Sequence, residues 1–237
     1  IDDLIKSSVK TIPKLNRNIF DRLKAQAKLQ ISSEGKNKPH FKILAHDNLR
    51  SIGLSLLAPH SVFDIFFDIE GFPHIEGGLE YLWGATYFNK LGERKFIDFW
   101  AHDVIQEKQA FADFVDWVFD RWRKDPSMHI YHYGSYEVTA LRRLMGRYGI
   151  KEYKVDTLLG NQVFIDLYNV VRNGVLIGEP SYSIKNVERL YREKRETDVA
   201  SGGDSIVVYE EWRSSPDGLT WQTSEALNAI REYNIDD

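Results

Sequence analysis

The order of strand-like and helix-like segments after residue 60 most constrains how this chain can fold. Three segments rich in aromatic and β-branched residues follow one another, at Ile65–Gly71, Leu79–Phe88 and Lys95–His102. An amphipathic helix pattern covers residues 106–126, a short strand pattern covers Met128–Gly134, and a helix pattern follows directly. Short turns favour antiparallel pairing, whereas helical crossovers favour parallel pairing with a right-handed connection. We therefore predict an α/β fold whose mixed sheet has three antiparallel strands, then parallel strands, with helices on its faces.

The remaining segments extend this pattern at both ends. "VFIDLYNVVRNG" and "SYSIKNVERLYRE" predict a short strand or loop with two helices, and "TSEALNAIREYNIDD" predicts a last helix capped by Thr223 or Ser224. "SGGDS" lacks the G-K-[ST] of a phosphate-binding loop, so we interpret it as a turn in which Asp204 or Ser205 caps the following helix.

The N-terminal segment is predicted to be helical and basic. Thr11–Gln30 carries apolar residues at helical spacing, namely Ile12, Leu15, Ile19, Leu23 and Ala27. The polar stretch Ser32–His40 that follows is typical of a linker or exposed loop. We predict a basic helical connector at residues 1–60 and a main domain at residues 61–237.

Composition excludes several classes of protein. The 237 residues contain no cysteine, which excludes disulfides and thiolate metal sites and fits the reducing cytoplasm. No run approaches the roughly 18 apolar residues of a membrane span, and no signal-peptide pattern opens the chain, so we expect no membrane association. Because the chain begins at Ile1 and stops at Asp237 within a helix pattern, we expect it to be a piece of a longer protein.

The net charge of −4 is unevenly distributed. Residues 1–50 carry +6, and the other 187 residues carry −10. A basic arm on an acidic body indicates either a contact with a polyanion or a solvated helical surface. An acidic body does not exclude nucleic acid if divalent cations neutralise its centre.

The first strand segment, "IFFDIEGFP", carries two acids in an apolar context. Asp68 and Glu70 are two residues apart, so a strand would project both side chains from one face. Two ionised carboxylates side by side repel each other unless a cation lies between them or one is protonated. Hard divalent cations such as Mg²⁺ prefer oxygen ligands of this kind. The alternative is a frayed strand end at which both acids are solvated.

Further acids lie in comparable positions later in the chain. Tyr233 and Asp237 are four residues apart in the last helix pattern and therefore share one helical face. Glu137 begins the helix after the fourth strand, where an acid also stabilises a helix simply through the helix dipole.

These motifs together resemble a known family. "FFDIEG", "YHYGSYEVTALRRL" and "REYNIDD" resemble the three exonuclease motifs of the DEDD, tyrosine-variant 3′–5′ exonucleases, which have an RNase H-like fold. With "YSIKNVERLY" they resemble, more narrowly, the RNase H-like domain that follows a RecB-like nuclease domain in certain bacterial proteins. The resemblance covers roughly residues 60–237, and "IPKLNRNIFDRLKAQAKLQ" is similar to the connector between those two domains.

The resemblance implies a metal-dependent nuclease with an RNase H-like fold. It implies that Asp68 bridges two Mg²⁺ or Mn²⁺ ions, that Glu70 binds one of them and that Asp237 completes the metal site. It also implies that Tyr233 orients the attacking water, and that Glu137 stands where the wider group has aspartate.

The implied reaction is hydrolysis of phosphodiester bonds, with DNA favoured over RNA as the substrate. The implied partner is a covalently linked RecB-like nuclease domain. The alternative is a catalytically weakened domain that binds nucleic acid or positions the RecB-like domain.

Other polar residues admit both structural and functional interpretations. His74, His129 and His132 show no metal-ligand spacing, so we interpret them as structural. Arg142, Arg143 and Arg147 lie on the helix after Glu137, where they face either phosphates or solvent. Asp166 in "VFIDLY" is a second acidic candidate, in a more structural position.

Overall fold

The computed structural model describes residues 1–6, 9, 12–45, 52–192 and 202–237, which form two compact units. The first unit comprises the described residues of Ile1–Leu57 and Tyr168–Lys194, and the second comprises those of Ala58–Leu167 and Arg195–Asp237. The N-terminal segment therefore clusters with a later part of the chain. The boundary at residue 60 stays a prediction.

The helices and strands are numbered in chain order. The helices are α1 (Asp2–Lys6), α2 (Arg17–Ser33), α3 (Val104–Lys124), α4 (Tyr136–Tyr148), α5 (Glu152–Gly160), α6 (Leu167–Gly174), α7 (Ile184–Glu188), α8 (Gly202–Ser214) and α9 (Glu225–Asp236). The strands are β1 (Phe41–Ile43), β2 (Ile65–Phe72), β3 (Leu79–Phe88), β4 (Arg94–Trp100), β5 (Ile130–His132), β6 (Phe164–Asp166) and β7 (Val175–Ile177). Among the described residues, no helix is both long and apolar enough to span a membrane.

The first unit contains a small antiparallel sheet and the helix α2. β1 pairs with β7, and the Gln30 side chain of α2 donates a hydrogen bond to the backbone of Glu179 at 3.0 Å. The side chain of Asn16 caps α2 by accepting from the Asn18 amide at 2.8 Å, so this helix begins later than the apolar pattern suggests. Leu23 on the predicted apolar stripe is half exposed, whereas Phe20 is buried.

The second unit is built on a five-stranded mixed sheet. Its strand order is β4-β3-β2-β5-β6. β2, β3 and β4 pair antiparallel, whereas β5 pairs parallel with both β2 and β6. The predicted fold class, three antiparallel strands followed by parallel strands with flanking helices, is confirmed.

Side chains of β2 alternate between two hydrophobic clusters on opposite faces of the sheet. Phe67 lies in the larger cluster with residues of α3, α4 and α5. Phe72 lies in the smaller cluster with residues of α8 and α9. Asp68 and Glu70 share the face of Phe72, because alternate strand residues point the same way. The acids therefore lie on the face that α8 and α9 cover.

Two helices differ from the sequence interpretation. α5 was not foreseen; it begins after Lys151, whose φ of 63° breaks the chain direction after α4. α8 begins at Gly202, so Asp204 and Ser205 lie inside its first turn and the prediction that one of them caps it was wrong. The physical reason is that Ser205 is fully buried and turned towards the sheet instead.

Phe114 tests how far the larger cluster stabilises the sheet. Its ring lies 4.2 Å from that of Phe67 and 5.3 Å from that of Trp83, between centroids. Replacing a fully buried phenyl with a methyl group leaves a cavity, so we expect Phe114→Ala to lower the free energy of unfolding by about 3–5 kcal/mol in urea titrations. Ile105→Ala, at an 83% exposed position of the same helix, is the control and should change it by less than about 0.5 kcal/mol. Equal effects at both positions would contradict this account of the core.

Candidate metal centre

β2 supplies the first two acids of the candidate site. Asp68 is half-buried and Glu70 is buried. Asp68 lies opposite Gly84 of β3, and the pairing of β2 with β3 slips by one residue directly after Glu70. The extra residue is Tyr81 of β3, so the bulge bends β3 beside Glu70.

Helix α9 brings the third acid to the same place. Ser224 caps the helix by accepting from the Leu227 amide at 3.0 Å. At the other end of the helix, Asp237 donates its backbone N–H to the carbonyl oxygen of Tyr233 at 3.1 Å. One carboxylate oxygen from each of Asp68, Glu70 and Asp237 lies within 4.8 Å of the others.

Arg231 holds α9 against the sheet. Its guanidinium pairs with Asp98 of β4 and lies 4.1 Å from the centre of the Trp221 ring and 5.0 Å from that of Phe96. Both the ion pair and the ring contacts are largely shielded from water, which strengthens them. The last helix therefore has a defined position relative to β2.

The phenol predicted to accompany Asp237 is also in place. The Tyr233 hydroxyl forms a hydrogen bond with the Asp237 carboxylate. Burial, followed by the negative charge of Asp237, raises the pKa of Tyr233 above its ordinary value. The phenol therefore stays protonated at neutral pH and acts as a donor.

Two buried donors in the site were missed by sequence reasoning. Asn234 donates from Nδ2 to Asp68 Oδ2 at 2.9 Å and to Glu70 Oε1 at 3.4 Å. Ser205 donates from Oγ to Glu70 Oε2 at 2.8 Å. The only available signal was the adjacency of Asn234 to Tyr233, and Ser205 lay in a segment that was interpreted as a turn.

Gly84 provides the space in which Asn234 reaches the acids. A Cβ at Gly84 would overlap the Oδ1 atom of Asn234 and lie 2.7 Å from the Phe96 ring. Glycine inside a strand commonly marks such a close approach. The closeness of α9 to β2 therefore depends on the absence of a side chain at this position.

Glu137 lies beside this cluster rather than within it. Besides burial, its negative charge contributes to raising the pKa of Asp68, and its Oε2 atom lies 3.2 Å from His132 Nδ1. Both Glu137 and His132 are buried. Asp166 is placed apart, where it accepts a hydrogen bond from the Gly134 amide at 2.9 Å and so fixes the loop between β5 and α4.

Two of the three arginines of α4 that could have faced phosphates, Arg143 and Arg147, are engaged within the domain, whereas Arg142 is exposed. Arg143 pairs with Glu80 and donates to the Gly77 carbonyl at 3.0 Å. Arg147 lies 3.3 Å from the fully buried Glu107. These two side chains hold the loop between β2 and β3.

Comparison with known families decides the affiliation of the chain. A model of the RNase H superfamily matches residues 65–237, which include β2, α4 and α9. The chain belongs to the RNase H superfamily. Comparisons with curated proteins and with solved structures found no significant match.

In this RNase H superfamily member the acids carry more negative charge than their surroundings neutralise. Burial raises the pKa of Asp68 well above its ordinary value, and repulsion from the neighbouring carboxylates, led by Glu70, raises it further. Burial raises the pKa of Glu70 to about 7, although hydrogen bonds from Ser205 and Asn234 favour its charged form. The repulsion between these carboxylates is relieved when one of them binds a proton or when a cation lies between them.

The donor set fits a hard divalent cation. All the acidic groups of the cluster offer oxygen atoms, the ligands that Mg²⁺ and Mn²⁺ take. The three oxygens come from β2 and from the end of α9. Arg231 and the space at Gly84 fix the position of α9 relative to the sheet. The residues could therefore hold such an ion without any change of fold.

Gly84→Ala tests the close approach of α9. We expect the new methyl group to displace Asn234, to lower the free energy of unfolding by about 1–3 kcal/mol and to weaken Mn²⁺ binding in calorimetric titrations. Gly146→Ala is the matched control, because Gly146 is exposed in α4 and a Cβ there would meet nothing within 4 Å. The control should stabilise the domain by up to about 1 kcal/mol. Unchanged Mn²⁺ affinity in Gly84→Ala would contradict the role assigned to this glycine.

The raised pKa of Glu70 predicts a dependence of stability on pH. Between its ordinary value of 4.5 and about 7, the folded metal-free protein binds more protons at this group than the unfolded chain does. The contribution of Glu70 to the free energy of unfolding therefore falls as the pH rises through this window. Because Glu70→Gln cannot titrate, its stability relative to the wild type should increase from pH 4.5 to 7 in urea titrations with a chelator. Parallel curves for the two proteins would show that Glu70 does not titrate in this window.

Proposed function

We propose that this domain is a metal-dependent nuclease that hydrolyses phosphodiester bonds, acting as a 3′–5′ exonuclease by a two-metal mechanism. The observation that carries the proposal is the convergence of the Asp68, Glu70 and Asp237 oxygens within 4.8 Å. The membership of the RNase H superfamily supports a nuclease-like activity. The resemblance of the three motifs to the DEDD, tyrosine-variant group supports the finer assignment.

The residues take the following roles in this proposal. Asp68 would contribute to both metal ions, Glu70 would bind one of them and Asp237 would complete the metal site. Ser205 and Asn234 hold the two β2 carboxylates in position through hydrogen bonds at 2.8 and 2.9 Å.

Mg²⁺ or Mn²⁺, when bound, would stabilise the attacking hydroxide and the leaving oxygen. Carboxylates alone repel a phosphate, so binding of the reacting group depends on this cation. Tyr233, whose hydroxyl donates to Asp237, would orient the attacking water by accepting a hydrogen bond from it. Glu137 takes the part of the second-motif acid, since its charge acts on Asp68.

Substrate, partner and location are proposed from the motifs and the composition of the chain. We propose DNA rather than RNA as the substrate and a covalently linked RecB-like nuclease domain as the partner, both from the resemblance of the motifs and of the N-terminal connector. The absence of cysteine fits the reducing cytoplasm, which is the location we propose.

Asp68→Asn tests the chemistry directly. The substitution keeps the size of the side chain but removes a charge, so we expect Mn²⁺-dependent cleavage to fall by about 1,000-fold or more while the folded state persists. Asp156→Asn, at an exposed acid of α5, is the matched control and should cleave as the wild type does. Normal turnover by Asp68→Asn would remove the proposed mechanism.

The direction of cleavage distinguishes a 3′–5′ exonuclease from an endonuclease. A 5′-labelled single strand should shorten stepwise from its 3′ end in Mn²⁺, and a circular single strand should stay intact. Cleavage of the circle would identify an endonuclease, and binding without cleavage would favour a catalytically weakened domain. Parallel DNA and RNA strands of one sequence test the substrate preference.

A further inference from the structure

An exposed aromatic ring lies on the same strand face as the catalytic acids. Phe66 precedes Asp68 by two residues in β2, so both side chains project from one face of the sheet. The Phe66 side chain is 45% exposed, although β2 is an inner strand with β3 and β5 on either side. A large apolar residue on an inner strand is usually covered, because its burial is worth about 1.5–3 kcal/mol.

The Phe66 ring is packed against another aromatic ring on one side and is exposed on another. Tyr131 of β5 is the register partner of Phe66, and the two rings stack with centroids 5.4 Å apart and planes 22° apart. Tyr131 itself is only 8% exposed and lies near His129, with ring centroids 6.4 Å apart. On the other side, the register partner of Phe66 in β3 is Thr86, a small residue. The phenyl ring is therefore fixed in orientation without being enclosed.

The separation from the acids fits a single nucleotide. Two residues along a strand span about 6.6–6.8 Å. The base and the phosphate of a single nucleotide can therefore contact Phe66 and the Asp68 carboxylate at the same time. We infer that Phe66, supported by Tyr131, is a stacking platform for an unpaired nucleobase of the strand whose phosphate lies at the carboxylate cluster. This inference rests on the proposed nuclease function and names how the substrate is recognised.

The physical character of the platform defines its ligand. Every base offers a π face, so stacking on an aromatic side chain tolerates any sequence. A base within a duplex already has both faces stacked, so the platform selects single-stranded nucleic acid. Stacking involves no charge, so its contribution to affinity persists without a metal ion and varies little with salt, unlike phosphate contacts.

Phe66→Ala, measured on the full 237-residue protein in the presence of a chelator, tests the platform. We expect its affinity for a short fluorescent single strand to fall about 5- to 100-fold. Phe66→Trp should keep most of the affinity because it keeps a stacking surface. Tyr153→Ala is the control, since Tyr153 is 77% exposed on α5, which packs on the opposite face of the sheet. This control should bind as the wild type does.

An abasic strand makes the test specific for stacking. Removing the base nearest the 3′ end should weaken binding by the wild type but leave Phe66→Ala nearly unaffected, because that variant has already lost the contact. Equal losses for both proteins would overturn the inference. If Phe66→Ala folds poorly by its thermal midpoint, Phe66→Leu keeps the apolar volume without the aromatic face and answers the same question.

Cleavage in Mn²⁺ distinguishes failure of this inference from failure of the proposed function. A wild type that cleaves, together with a Phe66→Ala variant of unchanged KM and unchanged affinity, would overturn the platform alone. A wild type that binds the strand through Phe66 without cleaving it would overturn the proposed reaction alone. A wild type that neither binds nor cleaves a single strand would overturn both.

Discussion

Two carboxylates held side by side on an inner strand set the conditions for the rest of the second unit. Burying Asp68 and Glu70 costs free energy twice, through the loss of hydration and through mutual repulsion. The opposite face of the same strand offsets this cost, because Phe67 and its neighbours bury large aromatic surfaces against α3. One face of β2 therefore packs into the larger hydrophobic cluster, and the other face carries the two carboxylates.

The charged face is only partly neutralised by its own surroundings. Ser205 and Asn234 each donate a hydrogen bond to the pair, yet burial still keeps the pKa of Glu70 at about 7. A fully compensated pair would gain little from a cation, whereas a cation bound to this pair would offset both the burial and the repulsion of its charges. Among the described residues, the side-chain donors to these two carboxylates are the neutral Ser205 and Asn234.

The sequence sufficed where periodicity and residue type acted locally. β3 was predicted at its observed bounds, and the face shared by Asp68 and Glu70 follows from strand alternation alone. Ser205 and Asn234 could not be predicted in the same way, because they reach Glu70 across 135 and 164 residues of chain. Their roles depend on tertiary packing, above all on the space left at Gly84, which no local pattern reveals.

Glu137 shows how packing also redefines a residue that the sequence did single out. Its position in the first turn of α4 places its carboxylate close enough to Asp68 for its negative charge to add to burial in raising the pKa of Asp68. The other polar neighbour of Glu137 is the buried His132, whose Nδ1 atom lies 3.2 Å from Oε2 of Glu137. Glu137 thus lies between the acids of β2 and a buried histidine on β5, and its effect on the carboxylate cluster is electrostatic and exerted through Asp68.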